Sequence, residues 1–299
     1  LLISGVTFVR DLGAPGHINI QLKKALEDGL ITGPDILSSG RPLCITGGHG
    51  WFSMSRECDG RDEFIKAARE QIRAGADLLK VMPTGGYARP KMKVNHVIMP
   101  DSPQMTGAEI AAVVEEAHER GIKVAAHCNG LSGVWRAAQA GVDSIEHGQF
   151  KDVNQTGVRE ALEMMSEKGI VLVPTLSAFF KNYNKAEVIG QYRSVLDSFA
   201  LARASGVKIA MGNDSGCPFV GHETATTEIR HMVEAGMTPM EALLASGKVA
   251  AALLGIDRSF GTLEKDKFAD FLILNDNPLQ NINTLSEIYQ VFKGGCPAG

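Results

Sequence analysis

The 299-residue sequence lacks several features that would each have pointed to a particular class of protein. Its net charge of -4, without a basic cluster, excludes the electrostatic footprint of a nucleic-acid-binding protein and a basic membrane-binding patch. No apolar run approaches the length that crosses a bilayer. The first residues lack the basic stretch of a signal peptide, so we expect no intact signal peptide in this sequence.

Cysteine is scarce, and its distribution is informative. The five cysteines are scattered, and no Cys-x-x-Cys pair occurs. A disulfide framework is therefore not expected, and a reducing, cytoplasmic location is the default expectation. Hydrophobic residues make up 44% of the chain and charged residues 21%, which is ordinary for a globular protein with one large barrel or two smaller domains.

The sequence does contain a pattern that recurs six times: a glycine, a short apolar stretch and then a polar or reactive residue. The glycine suits the left-handed end of a helix, and the apolar stretch suits a buried parallel strand. Amphipathic helices lie between these segments, and two of them begin with a capping box, at Thr106 with Glu109 and at Thr238 with Glu241. The six segments are 5–11, 75–80, 121–127, 141–147, 169–175 and 206–214.

This alternation of helices and strands predicts an α/β fold, a (β/α)8 TIM-like barrel in residues 1–258. The candidate strands are seven, at 6–11, 36–39, 78–82, 123–127, 144–147, 171–174 and 208–212. A closed barrel needs eight strands, so either one escapes detection or it lies upstream of Leu1. Residues 259–299 contain short strands and turns instead, and they predict a small β appendage that must pack on another part of the protein.

Four of the predicted strands end in residues that can bind a metal ion directly or after modification. Active sites of β/α barrels lie at the carboxyl ends of the strands, where Lys80, His127, His147 and Asp214 would meet. Two imidazoles and a carboxylate are a normal ligand set for Zn²⁺. A lysine ammonium cannot bind a cation, but addition of CO₂ to the amine gives a carbamate that can bridge two metal ions. The sequence therefore predicts a metal site at the mouth of the barrel.

Each of these residues also has a purely structural interpretation. A single histidine at a strand end is more often hydrogen-bonded than metal-bound, a single lysine there is usually an ion-pair partner, and Asp214 could cap the next helix. The joint pattern is what favours a metal site. His49 lies in Thr46-Gly-Gly-His-Gly50, where small residues allow close approach of a ligand, although a mobile glycine-rich loop has the same composition.

Seven motifs follow one another along the chain: Gly5-Val-Thr-Phe-Val-Arg-Asp-Leu-Gly13, Thr46-Gly-Gly-His-Gly50, Lys80-Val-Met-Pro-Thr-Gly-Gly86, Ala126-His127, Ile145-Glu-His-Gly148, Gly212-Asn-Asp214 and Ala269-Asp-Phe-Leu-Ile-Leu274. Together they resemble the metal-dependent amidohydrolase superfamily, in particular its imidazolonepropionase-like and prolidase-like (Xaa-Pro or Xaa-Arg type) dipeptidase branch. The resemblance covers nearly the whole chain. It implies a (β/α)8 barrel with one or two zinc ions and a small β-sandwich built from both chain ends, of which residues 259–299 would be the C-terminal part.

The resemblance also implies roles for individual residues. Lys80 would be the carboxylated bridging ligand, and His127 and His147 would bind the second metal. Asp214 would bind the first metal, take a proton from the nucleophilic water and give it to the leaving amine. His49 would face the substrate and orient its carboxylate or carbonyl.

Two departures from the family pattern matter. Members carry a His-x-His pair on the first barrel strand, and no such pair occurs here, so we expect the chain to begin in the helix after that strand. This would account for the count of seven strands and would remove two ligands of the first metal. Asn129 stands two residues after His127, at a substrate-facing position where dipeptidase relatives often have Tyr.

The predicted function is a zinc-dependent hydrolase that cleaves a C–N amide bond in a dipeptide or an N-acyl amino acid, by attack of a metal-bound hydroxide. Hydrolysis of a cyclic amide, as in imidazolonepropionase, is the alternative enzymatic function. A metal-depleted barrel that only binds a ligand, or an inert fragment, is the alternative without catalysis. The expected partner is a small molecule or a dipeptide, with no nucleic acid and no membrane, and a homo-oligomer stays open.

Overall fold

The computed structural model of the chain describes residues 1–86, 99–180, 186–217 and 220–298. Parallel strands separated by helices come first along the chain, and a small antiparallel sheet follows them. Within the described ranges, no helix combines the length and the apolar character that a membrane span requires.

The parallel strands form two hydrogen-bonded groups. β1 (Phe8–Asp11) pairs with β2 (Asp35–Ser38). The second group consists of β3 (Leu43–Cys44), β4 (Arg56–Glu57), β5 (Leu78–Val81), β6 (Lys123–Asn129), β7 (Ser144–Gln149) and β8 (Val171–Val173). Its strands lie in the order β4–β3–β5–β6–β7–β8.

Backbone hydrogen bonds join the two groups into one parallel sheet. β2 and β3 are two halves of one interrupted strand, because the Asp77 amide donates to the Ser38 carbonyl and the Met82 amide donates to the Leu43 carbonyl. Beyond β8, a parallel bridge adds Ile209. All of these parallel segments run in one direction, and the predicted α/β TIM-like barrel is confirmed. In the described ranges, no strand pairing links Ile209 to β1.

Helices alternate with these strands. They are α1 (Ile18–Glu27), α2 (Gly60–Ala74), α3 (Gly107–His118), α4 (Leu131–Ala140), α5 (Val158–Glu167), α6 (Leu176–Phe180), α7 (Ala186–Ala204), α8 (Thr227–Glu234), α9 (Pro239–Leu244) and α10 (Ala250–Leu254). Both predicted capping boxes are present, at the starts of α3 and α9. α2 ends at Gly75, whose φ of 104° is the left-handed conformation that a helix-ending glycine supplies.

The main hydrophobic core lies between the strands and the helices. Leu79, Val81, Val124 and Ile145 are fully buried on the strands, and Phe64 on α2 is fully buried against the same cluster. Parallel strands covered on both faces are expected to be continuous apolar runs. Burying each large side chain contributes about 1.5–3 kcal/mol, so this packing fixes the backbone from which the strand ends project.

The C-terminal residues form an antiparallel sheet. Its strands, in the order β11–β10–β9, are β9 (Phe271–Leu274), β10 (Ile288–Lys293) and β11 (Cys296–Ala298). This sheet packs on the beginning of the chain, because Lys293 Nζ lies 2.8 Å from Asp35 Oδ1 and a Cβ added at Gly5 would overlap Ile288. The domain boundary between residues 258 and 259 stays a prediction.

Candidate active site

The predicted site residues lie at or after the carboxyl ends of the strands and line one large cavity, which also extends to the C-terminal sheet. Its volume is about 1680 Å³. The predicted residues that line it are His49, Lys80, His127, Asn129, His147 and Asp214. This is the end of a β/α barrel at which active sites occur.

Lys80 lies on β5, and only 4% of its surface is exposed. Burial lowers the pKa of its ammonium, while the nearby Glu146 carboxylate acts in the opposite direction. Among the described residues, Lys80 Nζ has no hydrogen-bond or ion-pair partner. The lowered pKa increases the fraction of neutral amine, which is the form that adds CO₂.

His127 and His147 stand on the neighbouring strands β6 and β7, with their ring centroids 4.6 Å apart. Nε2 of His127 lies 2.8 Å from the Gly85 carbonyl, and Nδ1 of His147 lies 2.6 Å from the Thr175 hydroxyl. Among the described residues, each ring thus uses one nitrogen and keeps the other free, Nδ1 of His127 and Nε2 of His147. Hydrogen bonds of this kind orient imidazoles that bind metals.

His49 joins this pair from the loop after β3. Its ring centroid lies 4.4 Å from that of His127. The His49 amide donates to Gln104 Oε1 at 2.8 Å, and a Cβ added at Gly86 would overlap the His49 ring. The turn after β5 therefore packs directly against His49 and leaves no room for a side chain at residue 86.

The three histidines share surroundings that favour the neutral imidazole. Burial lowers the pKa of each, to about 4 for His49 and well below its usual range for His127. Positive charge on Lys80 lowers the pKa of all three further, whereas the Asp214 carboxylate raises the pKa of His49 and His147. A neutral imidazole carries the lone pair that a metal ion requires.

Asp214 is placed differently from these groups. It follows the Ile209 bridge and is exposed, with a left-handed φ of 58°. The Cys217 thiol donates to Asp214 Oδ2 at 2.8 Å, and burial together with the Asp214 charge raises the pKa of that thiol. An exposed carboxylate beside the histidines can accept a proton from water and release it again.

Asn129 is 2% exposed, and its contacts with the described residues leave one atom unpaired. Its amide N–H donates to Thr84 Oγ1 at 3.0 Å, and its Nδ2 lies 3.4 Å from the Gly85 carbonyl. In the described part of the chain, its buried Oδ1 has no hydrogen-bond partner. A buried oxygen without a partner costs free energy, and Asn129 is one of the residues that line the cavity.

The sequence does not single out Thr175, which supports the site through His147. Three strand ends carry non-glycine residues with left-handed backbone: His147 with φ 70°, Thr175 with φ 51° and Asp214 with φ 58°. Such strained conformations concentrate at functional sites. The signal for Thr175 is its position, because it closes segment 169–175 as His147 closes segment 141–147.

An ion pair across the barrel is a second feature that the sequence does not reveal. Arg10 on β1 donates to Glu146 Oε1 at 2.7 Å and to Ser144 Oγ at 3.0 Å. The Ser144 hydroxyl also donates to Glu146 at 2.7 Å. The pair links β1 to β7, and both of its charges act on Lys80.

The donors at the strand ends fit a divalent metal ion chemically. Within the described residues, no three His, Cys, Asp or Glu side chains come together as a metal-binding group. Lys80 lies close enough to His127 and His147 for its charge to act on the pKa of both, and it offers an anionic oxygen only as a carbamate. Two neutral imidazoles and one anionic oxygen are a ligand set that zinc accepts.

The structure thus has a TIM-like barrel with a buried lysine and two neighbouring imidazoles at its strand ends. These features are typical of the β/α-barrel proteins that the sequence motifs resemble. Residues 1–297 match the amidohydrolase family, and the chain belongs to that family. The predicted family membership is therefore confirmed.

Individual relatives agree with this assignment. The ochratoxinase of Aspergillus niger is 32% identical to this chain over an alignment 335 residues long. The alignment covers 98% of this chain and 65% of the ochratoxinase. A solved Xaa-Pro dipeptidase with methionine bound in its active site is 33% identical, with a TM-score of 0.86 over 99% of this chain and 76% of the dipeptidase. The imidazolonepropionase of Aeromonas hydrophila is 28% identical over 176 residues, 56% of this chain and 38% of that protein. The chain thus spans just under two thirds of the ochratoxinase length.

Proposed function

We propose that this protein is a zinc-dependent amidohydrolase that cleaves a C–N amide bond in a dipeptide or an N-acyl amino acid. The observation that carries the proposal is the meeting of the buried Lys80 amine with His127 and His147, each of which keeps one ring nitrogen free of partners within the described ranges. The similarity to a Xaa-Pro dipeptidase and to ochratoxinase supports amide hydrolysis as the reaction.

Lys80, His127 and His147 would hold one zinc ion, and Asp214 would contribute to a second. Addition of CO₂ to the neutral Lys80 amine forms an N–C bond and releases one proton, which leaves an anionic carbamate with two oxygen donors. When bound, zinc supplies a Lewis acid that polarises the amide carbonyl.

Asp214 would move the proton that the reaction requires. Its exposed carboxylate accepts a proton from the attacking water as a general base. It then returns that proton to the leaving nitrogen as a general acid, so that a neutral amine departs. The exposed position of Asp214 at the cavity wall supports this role.

His49 and Asn129 would position the substrate. The pKa of His49 is lowered to about 4 by burial, so at neutral pH its ring is uncharged and offers one donor and one acceptor. The Asn129 Oδ1 atom, buried without a partner among the described residues, can accept a hydrogen bond from a substrate N–H. A dipeptide carries the carboxylate, carbonyl and N–H groups that these atoms complement.

A cyclic amide is the second candidate substrate. The similarity to imidazolonepropionase over 176 residues favours it. The same carbonyl chemistry applies to both substrates, so the shape of the pocket and the loops around it decide between them.

Hydrolysis assays with matched substrate panels separate these functions. The Zn²⁺-loaded protein is assayed with bicarbonate against Xaa-Pro dipeptides, N-acyl amino acids and cyclic amides, with Lys80→Ala as the inactive control. We expect the wild-type protein alone to hydrolyse the dipeptides or N-acyl amino acids. Hydrolysis of cyclic amides alone would transfer the assignment to the second candidate, and hydrolysis of no substrate would favour a ligand-binding barrel or an inert fragment.

A cytoplasmic location belongs to the same proposal. All five cysteines are free thiols, and Cys44, Cys58 and Cys128 are buried. Free thiols without disulfide partners are typical of proteins that fold in a reducing compartment.

A further inference from the structure

Glu228 on α8 is a buried carboxylate that the proposed reaction does not use. It is 0% exposed, and among the described residues no Lys, Arg or His forms an ion pair with it. Burial raises the pKa of its carboxyl to about 7, although hydrogen bonds act against this shift. A carboxylate buried without a cation is costly unless hydrogen bonds replace its hydration.

Both carboxylate oxygens of Glu228 accept hydrogen bonds from the first residues of α6. The Leu176 amide donates to Oε1 at 2.6 Å, and the Ser177 amide donates to Oε2 at 2.7 Å. The Ser177 hydroxyl also hydrogen-bonds to Glu228, and it lies 3.1 Å from Nδ1 of His231 on the same helix as Glu228. Charge-assisted bonds of this kind are stronger than neutral ones, so they tie the start of α6 to α8.

Thr175 stands directly before the two amides that Glu228 holds. Its φ of 51° is strained for a β-branched residue, and such a conformation persists only where the surroundings impose it. Its hydroxyl lies 2.6 Å from Nδ1 of His147. A continuous path of hydrogen bonds and backbone therefore runs from Glu228 through Thr175 to His147.

We propose that Glu228 is a positioning residue for the metal centre. This inference rests on the proposed metal-dependent function. The Glu228 carboxylate fixes the turn from Thr175 to Ser177, the Thr175 hydroxyl accepts a hydrogen bond from Nδ1–H of His147, and Nε2 of His147 is left unprotonated for the metal. The orientation of a ligand on β7 thus depends on a side chain of α8 that does not touch it.

The test measures the Zn²⁺ dissociation constant of the full chain by competition with a chromophoric chelator at pH 8. Glu228→Gln keeps the size of the side chain but turns an NH₂ group toward one of the two backbone amides. We expect the Zn²⁺ dissociation constant to rise about tenfold, since loss of the groups that orient a ligand costs affinity on that scale. If the Gln variant does not fold, Glu228→Asp takes its place. The shorter aspartate side chain cannot reach both amides, so we expect the same rise of the Zn²⁺ dissociation constant.

The matched control is Glu116→Gln on α3. Glu116 is 6% exposed and pairs with Arg69 and Arg120, away from the cavity lining. The same chemical change there removes a buried carboxylate, and we expect it to lower the melting temperature. We expect its Zn²⁺ dissociation constant to equal that of the wild type, which separates general destabilisation from an effect on His147.

Substitutions at Thr175 test the path itself. Thr175→Val removes the hydroxyl with little change of shape and is expected to weaken Zn²⁺ binding about tenfold, whereas Thr175→Ser restores binding. The double variant of Glu228→Gln with Thr175→Val should bind no more weakly than Thr175→Val alone, because both changes interrupt one path.

The outcomes distinguish this inference from the proposed function. A wild-type chain that binds no Zn²⁺ would overturn the function and the inference together. The inference would be overturned if the Glu228 variants bound Zn²⁺ with the wild-type dissociation constant, or if the effects of Glu228→Gln and Thr175→Val on that constant were fully additive. Zn²⁺ binding by the wild type would then still support the proposed function.

Discussion

The two sides of the candidate site are built in different ways. Lys80, His127 and His147 stand on β5, β6 and β7, neighbouring parallel strands that hydrogen-bond to one another. Asp214 stands on the other side, in a turn after a segment that joins the sheet through one bridge at Ile209. Lys80 and His127 are buried and His147 is partly buried, whereas Asp214 is exposed.

The difference matches the chemistry proposed for each side. A set of metal ligands needs fixed relative positions, and paired strands with a packed core supply them. A group that accepts and returns protons needs contact with water, and an exposed turn supplies that. We therefore expect changes on the strand side to act on metal binding, and changes on the turn side to act on turnover.

The strongest test of the strand side is Lys80→Ala. Without the amine no carbamate forms, and loss of a Lewis acid worth several kcal/mol should reduce kcat/KM about a thousandfold or more. The measurement is dipeptide hydrolysis with and without added short carboxylic acids. Partial recovery with a small carboxylic acid is expected, because it can occupy the space of the carbamate. Full activity of Lys80→Ala would show that the carbamate hypothesis is wrong.

The turn side is tested by Asp214→Asn. An amide cannot take the proton of the attacking water, so kcat should fall about a hundredfold or more. Zinc held by Lys80, His127 and His147 should remain, and metal analysis of the variant measures it. Loss of all zinc from Asp214→Asn would contradict the division between the two sides.

Glu228 holds the amides of Leu176 and Ser177 directly after Thr175, and its protonation should appear in the pH dependence of stability. The pKa of its carboxyl is raised from 4.5 to about 7 in the fold, so the folded state binds the proton more tightly. This contribution is present below pH 4.5 and is lost as the pH rises through 7, a change of about 3 kcal/mol.

Thermal unfolding of metal-free wild type and Glu228→Gln between pH 4.5 and 8 measures this contribution. The stability of the wild type relative to the variant should decrease as the pH rises. A difference that stays constant with pH would exclude a raised pKa at Glu228.

The smallest predicted effect concerns the turn that packs against the strand side. A Cβ at Gly86 would overlap the His49 ring, so Gly86→Ala should destabilise the fold by about 1–3 kcal/mol and displace His49. Gly107→Ala is the control, because a Cβ there meets nothing within 4 Å at the start of α3. The melting temperatures of the two variants are compared by thermal unfolding. Equal melting temperatures would mean that the turn at Gly86 and the His49 ring move apart without loss of stability.

Much of the barrel follows from the sequence. Buried parallel strands are continuous apolar runs, and helix-ending glycines mark where each begins, so β5 to β8 agree with the predicted strands to within about two residues. β3 and β4 are two residues long, and such short strands carry no periodicity that a sequence could show. They arise because neighbouring strands supply their hydrogen bonds.

The site follows from the sequence only where its residues end strands. The rule that active sites occupy the carboxyl ends of barrel strands groups Lys80, His127 and His147 without any knowledge of distances. Arg10 and Glu146 are 136 positions apart, and Thr175 and Glu228 act through partners far along the chain. Such pairings depend on how the helices and strands pack, which local sequence patterns do not encode.

The most direct test of the account is the zinc content of the purified chain. Wild-type protein and Lys80→Ala are loaded with Zn²⁺ in the presence of bicarbonate, dialysed against metal-free buffer and analysed by inductively coupled plasma mass spectrometry. We expect the wild-type chain to retain at least about one zinc ion, the number that one complete ligand set holds, and the variant to retain none. No zinc in the wild type with Lys80 intact, or equal zinc in both proteins, would contradict the account.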